Sequence, residues 1–460
     1  MTAPRLLDLA GWDARHKALH AAGLEEPAYG GPLRRHAEQG DTRLSRLRFD
    51  DSPAALRLWN FLLSEEDRLR RARADGAVLV GALKDLGTVP VIACAHPALR
   101  AFYLDGAWWL PCVMELSAGL LRFADDMGLD QSFCPVRALL GAYHAAGHYP
   151  RPDTVVCDVG ATCDDVSAIA QRLAGTGVAI EWWEMPHRRS PDADETAVAL
   201  PGGLHAPAVQ VAQVHDELAR LTAHLAGLAP DPITPAMLRD SIVATNRVRS
   251  ALARLRELAF TAPRCPLPAL ELLIAEMLAI HFCSDRDECI AVLDDLLATV
   301  TDRVRANHGH FAADAVRVFW VNPVADLAVM NLLEDCGGRL CGTEFLFCHA
   351  IDPIPEDLPP LEALARSALA DPMVGPTADR AARVVRDAQR YGAEAVVISR
   401  IPGASHCAWE GAQIAGHCAA VLGIPVVEIE VPPVSDASTS QVRTRLEALV
   451  ETARGRRRKQ

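Results

Sequence analysis

No stretch of this 460-residue chain is apolar for the ~18 residues that would suggest a membrane span. Acids break its most apolar segments: Glu115 in one, Glu271 and Glu276 in another. A basic segment followed by a long apolar core is missing from the first residues, so there is no secretory pattern and a cytoplasmic address is the expectation. Positive charge is in short supply. The 46 Lys and Arg against 59 Asp and Glu leave a net charge of −13, which argues against nucleic-acid binding through the overall field. CxxC pairs are absent, which disfavours a zinc ribbon. The 30 Gly and 31 Pro follow no collagen-like or linker-like period.

What remains is a globular composition, half hydrophobic and 23% charged, long enough for two or three domains. Thirteen cysteines are present. In a reducing compartment they are not a disulfide framework, and their odd number fits full pairing poorly. They are buried small hydrophobes, or else ligands and nucleophiles. The Arg454–Lys459 run reads as a solvated end after a helix.

Residues 1–76 read as a polar, helical N-terminal extension with nothing catalytic in it. From residue 77 short β-branched runs alternate with helical stretches. Ala77–Gly81, Val89–Ala93, Thr154–Cys157 and Val178–Trp183 are expected strands, and Asp164–Leu173 a helix. The strand signal is lost over 206–312, where Thr234-Pro235 is a good helix start. It resumes with Val316–Val321, Arg339–Phe345, Ala395–Ser399 and Pro425–Glu430. Helices are expected at Ala378–Tyr391 and Glu410–Leu422, with a last one after Ser438-Thr439-Ser440. Alternation of this kind implies parallel strands with helical crossovers. The expectation is an α/β protein with two lobes, 77–205 and 313–460, and a helical region at 206–312 between them.

Ligands of open parallel sheets bind beyond the carboxyl ends of the strands, and three such places carry cysteine. In Cys134-Pro135, proline fits the first helical position and puts Cys134 at the N-cap. Cys163 lies between a strand and a helix, six positions after Cys157. Cys407 follows His406 in the turn after Ala395–Ser399. The positive end of a helix favours a thiolate, the form that binds metal. Each cysteine taken singly is also compatible with an inert buried thiol. Three thiolates on a four-iron cluster leave one iron open for chemistry.

The chain resembles the D-component family of 2-hydroxyacyl-CoA dehydratases, which includes subunits of ATP-dependent benzoyl-CoA reductase. The resemblance runs from about residue 85 to 452. It is carried by Ser440-Gln-Val-Arg-Thr-Arg-Leu-Glu-Ala-Leu449, Gly423-Ile424-Pro425, Thr162-Cys163-Asp164, Cys134-Pro135 with Arg137, Glu184-Met-Pro-His-Arg-Arg189, and Ile233 through Arg249. It implies two flavodoxin-like lobes with a helical insert, holding a 4Fe-4S cluster through Cys134, Cys163 and Cys407. It also implies a companion subunit of the same family, in a hetero- or homodimer, and a separate ATP-dependent iron–sulfur activator. The absence of a GxxxxGK[ST] loop fits ATP being handled elsewhere. The implied reaction is ketyl-type radical dehydration or reduction of an acyl-CoA thioester. His187, Arg188 and Arg189 are candidates for the CoA phosphates. His-Cys-Ala around Cys407 departs from the family's Phe-Cys-Asp. The additional thiols Cys157, Cys341 and Cys348 leave open a double-cubane cluster reducing a small non-CoA molecule. A non-catalytic partner or electron-relay subunit is the third reading.

Overall fold

The computed structural model describes residues 4–7, 47–83, 87–107, 117–144, 149–433 and 439–459; the side chains of residues 7, 117–119, 144 and 405–408 lie outside that description. The first lobe is a sheet of four parallel strands, β1 (Val78–Leu83), β2 (Leu99–Tyr103), β3 (Thr154–Gly160) and β4 (Ile180–Met185). They lie in the order β2-β1-β3-β4, with Val80 opposite Thr154 and Val155 opposite Ile180. Helix α1 (Asp164–Ala174) links β3 to β4. Val89–Ala93, expected as a strand, is a short helix. Pro90 explains this: it has no N–H for a ladder but fits the first turn of a helix. The place of that strand is taken by Leu99–Tyr103 at the sheet edge.

Between the lobes stand α2 (Ala208–Ala226), α3 (Pro235–Thr261), α4 (Ala269–His281) and α5 (Arg286–Arg305). The Thr234 hydroxyl caps α3, accepting from the Met237 N–H at 3.2 Å. Every residue of α4 is buried, as its sequence ALELLIAEMLAIH requires of a helix that is apolar all round. Its ionisable side chains find partners inside. Glu276 pairs with Arg256, and His281 lies 3.7 Å from Glu65 and 3.5 Å from Asp105. Burial opposes charge on His281, yet the two carboxylates outweigh it and raise its pKa to about 10.

Part of the N-terminal segment joins the core, including Leu47, Phe49 and most of Pro53–Leu63. Phe49–Asp50 pairs with Leu6–Leu7, and a helix at Pro53–Leu63 packs on α5, with Arg57 at 2.9 Å from Glu288. Asp50 is fully buried and accepts from the His310 ring at 2.6 Å and from Arg303.

The second lobe repeats the first. Strands β5 (Val316–Val321), β6 (Gly338–Glu344), β7 (Ala395–Arg400) and β8 (Val426–Glu430) are all parallel, in the order β6-β5-β7-β8. The near-continuous apolar runs of β5 and β7 suit strands covered on both faces. Helix α6 (Thr377–Arg390) precedes β7, α7 (Ser405–Leu422) follows it, and α8 (Thr439–Arg457) closes the described chain. Both lobes thus share the flavodoxin-like strand order, in which connections leave in opposite directions from the two central strands. No helix among the described residues is long and apolar enough to cross a membrane.

Candidate functional site

In each lobe the switch point lies at the carboxyl ends of the two central strands, β1 with β3 and β5 with β7. Cysteines occupy corresponding places there. Cys163 is the N-cap of α1, directly after β3. Cys407 belongs to the first turn of α7, directly after β7, because that helix begins at Ser405 and not at the expected Glu410. Its side chain lies outside the described residues, as does that of His406. Cys134 is the N-cap of a 3-10 turn, Pro135–Ala138, that packs against α1.

Backbone geometry fixes these turns. Gly160 has φ +108°, and a Cβ there would lie 2.3 Å from the Met185 carbonyl oxygen. The Thr162 hydroxyl then donates to Asp158 at 2.8 Å, tightening the loop that presents Cys163. Gly403, with φ +80°, joins the lobes: a Cβ would meet the Phe133 carbonyl oxygen at 2.4 Å. That carbonyl also accepts from Arg137 at 3.0 Å. The residue before Cys134 is therefore pressed against the turn that leads into Cys407. Cys134 and Leu346 pack on a small apolar patch of Ala325, Ile401 and Ala404. Leu346 has φ 61°, ψ −51°, with the Phe347 N–H donating to the Phe345 carbonyl at 2.5 Å. This is a γ-turn of the strained kind, costing on the order of 1–3 kcal/mol.

The carboxyl edge of the second sheet is also polar. Arg380 of α6 is buried and donates to Glu344 at 3.0 Å, Glu410 at 2.5 Å and the Asn322 amide oxygen at 2.5 Å. Asn322, at φ 68°, donates to the Ser399 carbonyl at 2.9 Å. This network ties the ends of β5, β6 and β7 to the second turn of α7. Trp409, two residues beyond Cys407, is 81% exposed, unusual for an indole.

The remaining sequence candidates fall elsewhere. Cys157 is buried within β3 and Cys341 within β6. Cys348 is buried behind the γ-turn, where its sulfur accepts from the Phe345 N–H at 3.3 Å and from Arg256. Burial pushes the Cys341 and Cys348 thiols up to about 12, so both stay protonated at neutral pH. Arg188 is buried, not displayed. It donates to the Leu369 carbonyl at 2.6 Å and to Asp379 at 2.8 Å, and the α-carbon of Gly375 packs on its guanidinium. Arg189 is exposed but paired with Glu195 and Asp192, and His187 is exposed. Sequence reasoning missed Arg380, Glu344 and Asn322, because no local pattern joins positions so far apart. Gly403 had a signal in Pro402-Gly403, a turn dipeptide.

No curated protein matches the chain. A family model does: the one described as 2-hydroxyglutaryl-CoA dehydratase, D-component, over residues 93–453. The match spans both cysteine-bearing switch points and the helical region between the lobes. The chain belongs to the 2-hydroxyglutaryl-CoA dehydratase D-component family.

Proposed function

We propose that this chain is an iron–sulfur subunit of a dehydratase acting on 2-hydroxyacyl-CoA thioesters, with Cys134, Cys163 and Cys407 as the thiolate ligands. The observation that carries the reading is the convergence of turns. Gly403 presses the Cys407 turn onto the backbone beside Cys134, and the Cys134 turn packs on the helix capped by Cys163. Both Cys134 and Cys163 are half-buried, Cys134 at the start of a 3-10 turn and Cys163 at the N-terminus of α1. Cys134, Cys163 and Cys407 would hold a four-iron cluster, which would supply single-electron and Lewis-acid chemistry. The chain contributes an apolar patch of Ala325, Ile401 and Ala404 against which Cys134 and Leu346 pack. The Arg380 network holds the second-lobe turn rigid. ATP is handled by a separate activator, in keeping with the absence of a phosphate-binding loop. The exposed Trp409 favours a companion subunit covering this edge.

A double-cubane cluster would need further thiols, and these lie elsewhere: Cys157 is buried within β3, Cys341 within β6 and Cys348 behind the γ-turn. Iron and acid-labile sulfide on anaerobically purified protein test the assignment. About four irons per chain are expected, lost in Cys163→Ser and Cys407→Ser and kept in Cys348→Ser. Unchanged iron in the first two variants would overturn it. Hydroxyacyl-CoA turnover with activator and ATP, for the chain alone and with a companion, separates an enzyme from a helper subunit.

A further inference from the structure

Of the three non-glycine residues at positive φ among the described residues, two are asparagine, which tolerates that conformation, and the third is Leu346. Leucine has no polar side-chain group to settle such a turn, so its surroundings must hold it. Two consecutive residues do this. The Cys348 sulfur accepts from the Phe345 N–H at 3.3 Å, and the His349 ring donates through Nδ1 to the Leu346 carbonyl at 3.1 Å. A carbonyl oxygen only accepts, so Nδ1 carries the hydrogen. His349 is buried in the 3-10 turn Phe347–Ile351, and its Nε2 lies 3.6 Å from Asp371 Oδ2. Both ring nitrogens are therefore engaged, one by the strained turn and the other by a carboxylate from a separate segment.

That segment is the one the first lobe grips. The Asp371 carbonyl accepts from Arg188 at 3.4 Å and the Leu369 carbonyl at 2.6 Å, and the Arg188 backbone N–H donates to the Val374 carbonyl at 2.9 Å. The Asp371 carboxylate is set in turn by the Met373 N–H, which donates to Oδ1 at 2.7 Å and leaves Oδ2 facing His349. On the far side of the turn, Leu346 packs with Cys134 on the patch of Ala325, Ile401 and Ala404. One imidazole thus stands between the contact that joins the lobes and the leucine that shares a patch with Cys134.

We infer that His349 is a positioning residue of the candidate cysteine site: it holds the Leu346 turn against the Cys134 patch and ties that turn, through Asp371, to the grip of Arg188 on the second lobe. The inference rests on the iron–sulfur reading above, and two variants separate the two contacts of the ring. In His349→Asn the amide nitrogen takes the place of Nδ1 and keeps the bond to Leu346. In His349→Gln it takes the place of Nε2 and keeps only the contact with Asp371. Hydrogen exchange on the full-length chain without iron is the first measurement. Amides Phe345–Cys348 are expected to exchange about tenfold faster in His349→Gln and within about twofold of the parent in His349→Asn. Arg188→Ala is expected to speed the same amides about threefold in the parent and to leave them unchanged in His349→Asn. The second measurement is the EPR spectrum of the anaerobically iron-loaded, reduced chain. His349→Gln is expected to keep the parent's iron content with shifted g-values, and His349→Asn to restore the parent spectrum. Exchange in His349→Gln equal to the parent's overturns the brace on the turn. An equal effect of Arg188→Ala in the parent and in His349→Asn overturns the tie to the lobe contact. Faster exchange with an unchanged spectrum overturns the positioning role while the cysteine reading stands. Absence of iron from the parent overturns the cysteine reading, and the positioning role with it, whatever the exchange shows.

Discussion

At the scale of single residues, the contact between lobes turns on a missing Cβ. Gly403→Ala would force a methyl group to within 2.4 Å of the Phe133 carbonyl oxygen, at a φ that alanine disfavours. The expected cost is about 2 kcal/mol or more, read as a lower melting temperature with reduced iron content. A second residue-scale test concerns pH. Burial, aided by the neighbouring Asp50 charge, raises Glu271 from 4.5 to about 8. The folded chain therefore keeps a proton that the unfolded chain releases near pH 4.5. Its contribution to stability is fully present below that pH and is lost as pH rises toward 8. Glu271→Gln removes this loss while an amide oxygen still accepts from the Asp50 N–H and the Trp59 indole. The variant should gain on the parent by about 2 kcal/mol or more between pH 5 and 8, measured by denaturant melts. A stability difference independent of pH would show that Glu271 does not titrate there.

At the scale of elements, α6 matters through one side chain. Arg380 balances Glu344 and Glu410 inside the protein. Arg380→Ala leaves the buried Glu344 and the half-buried Glu410 without their cation, with an expected cost of about 3–5 kcal/mol. Adding Glu344→Gln should restore part of the melting temperature, because it removes one of the stranded charges. If the double variant is no better than the single, the loss is one of packing. The elements were unevenly legible in the sequence. Strands such as Val316–Val321 and Ala395–Arg400 are apolar runs buried on both faces, and those are self-evident. Leu99–Tyr103 was not, because Arg100 interrupts the apolar run of a short edge strand whose other residues are buried. The start of α7 was missed by five residues, since Ser405-His406-Cys407-Ala408 has no apolar period of its own.

At the scale of the molecule, Arg188 is a latch between the lobes. It leaves the end of β4 and is held by the carbonyl of Leu369 and the carboxylate of Asp379 in the second lobe. Arg188→Ala should cost about 2–4 kcal/mol. Backbone amides at Leu369–Val374 should exchange hydrogen faster, while regions far from the latch, such as α5, keep their protection. Uniform acceleration across the chain would instead mean global destabilisation without a local latch.

The sequence by itself determined the α/β alternation, the helical stretch between two strand-rich halves, and the placing of Cys134 and Cys163 at helix starts. Those features are local: strand burial, proline at a first helical position and capping all act over a few residues. It could not tell that Arg188 faces inward or that Asp371 meets His349. Nor could it tell that Gly403 rests against Phe133, 270 positions away. Only tertiary structure decided these, because the energy of a charge or a close contact depends on what the rest of the chain brings to it. Identical guanidiniums become a buried latch or an exposed surface pair according to which carboxylates the fold sets beside them.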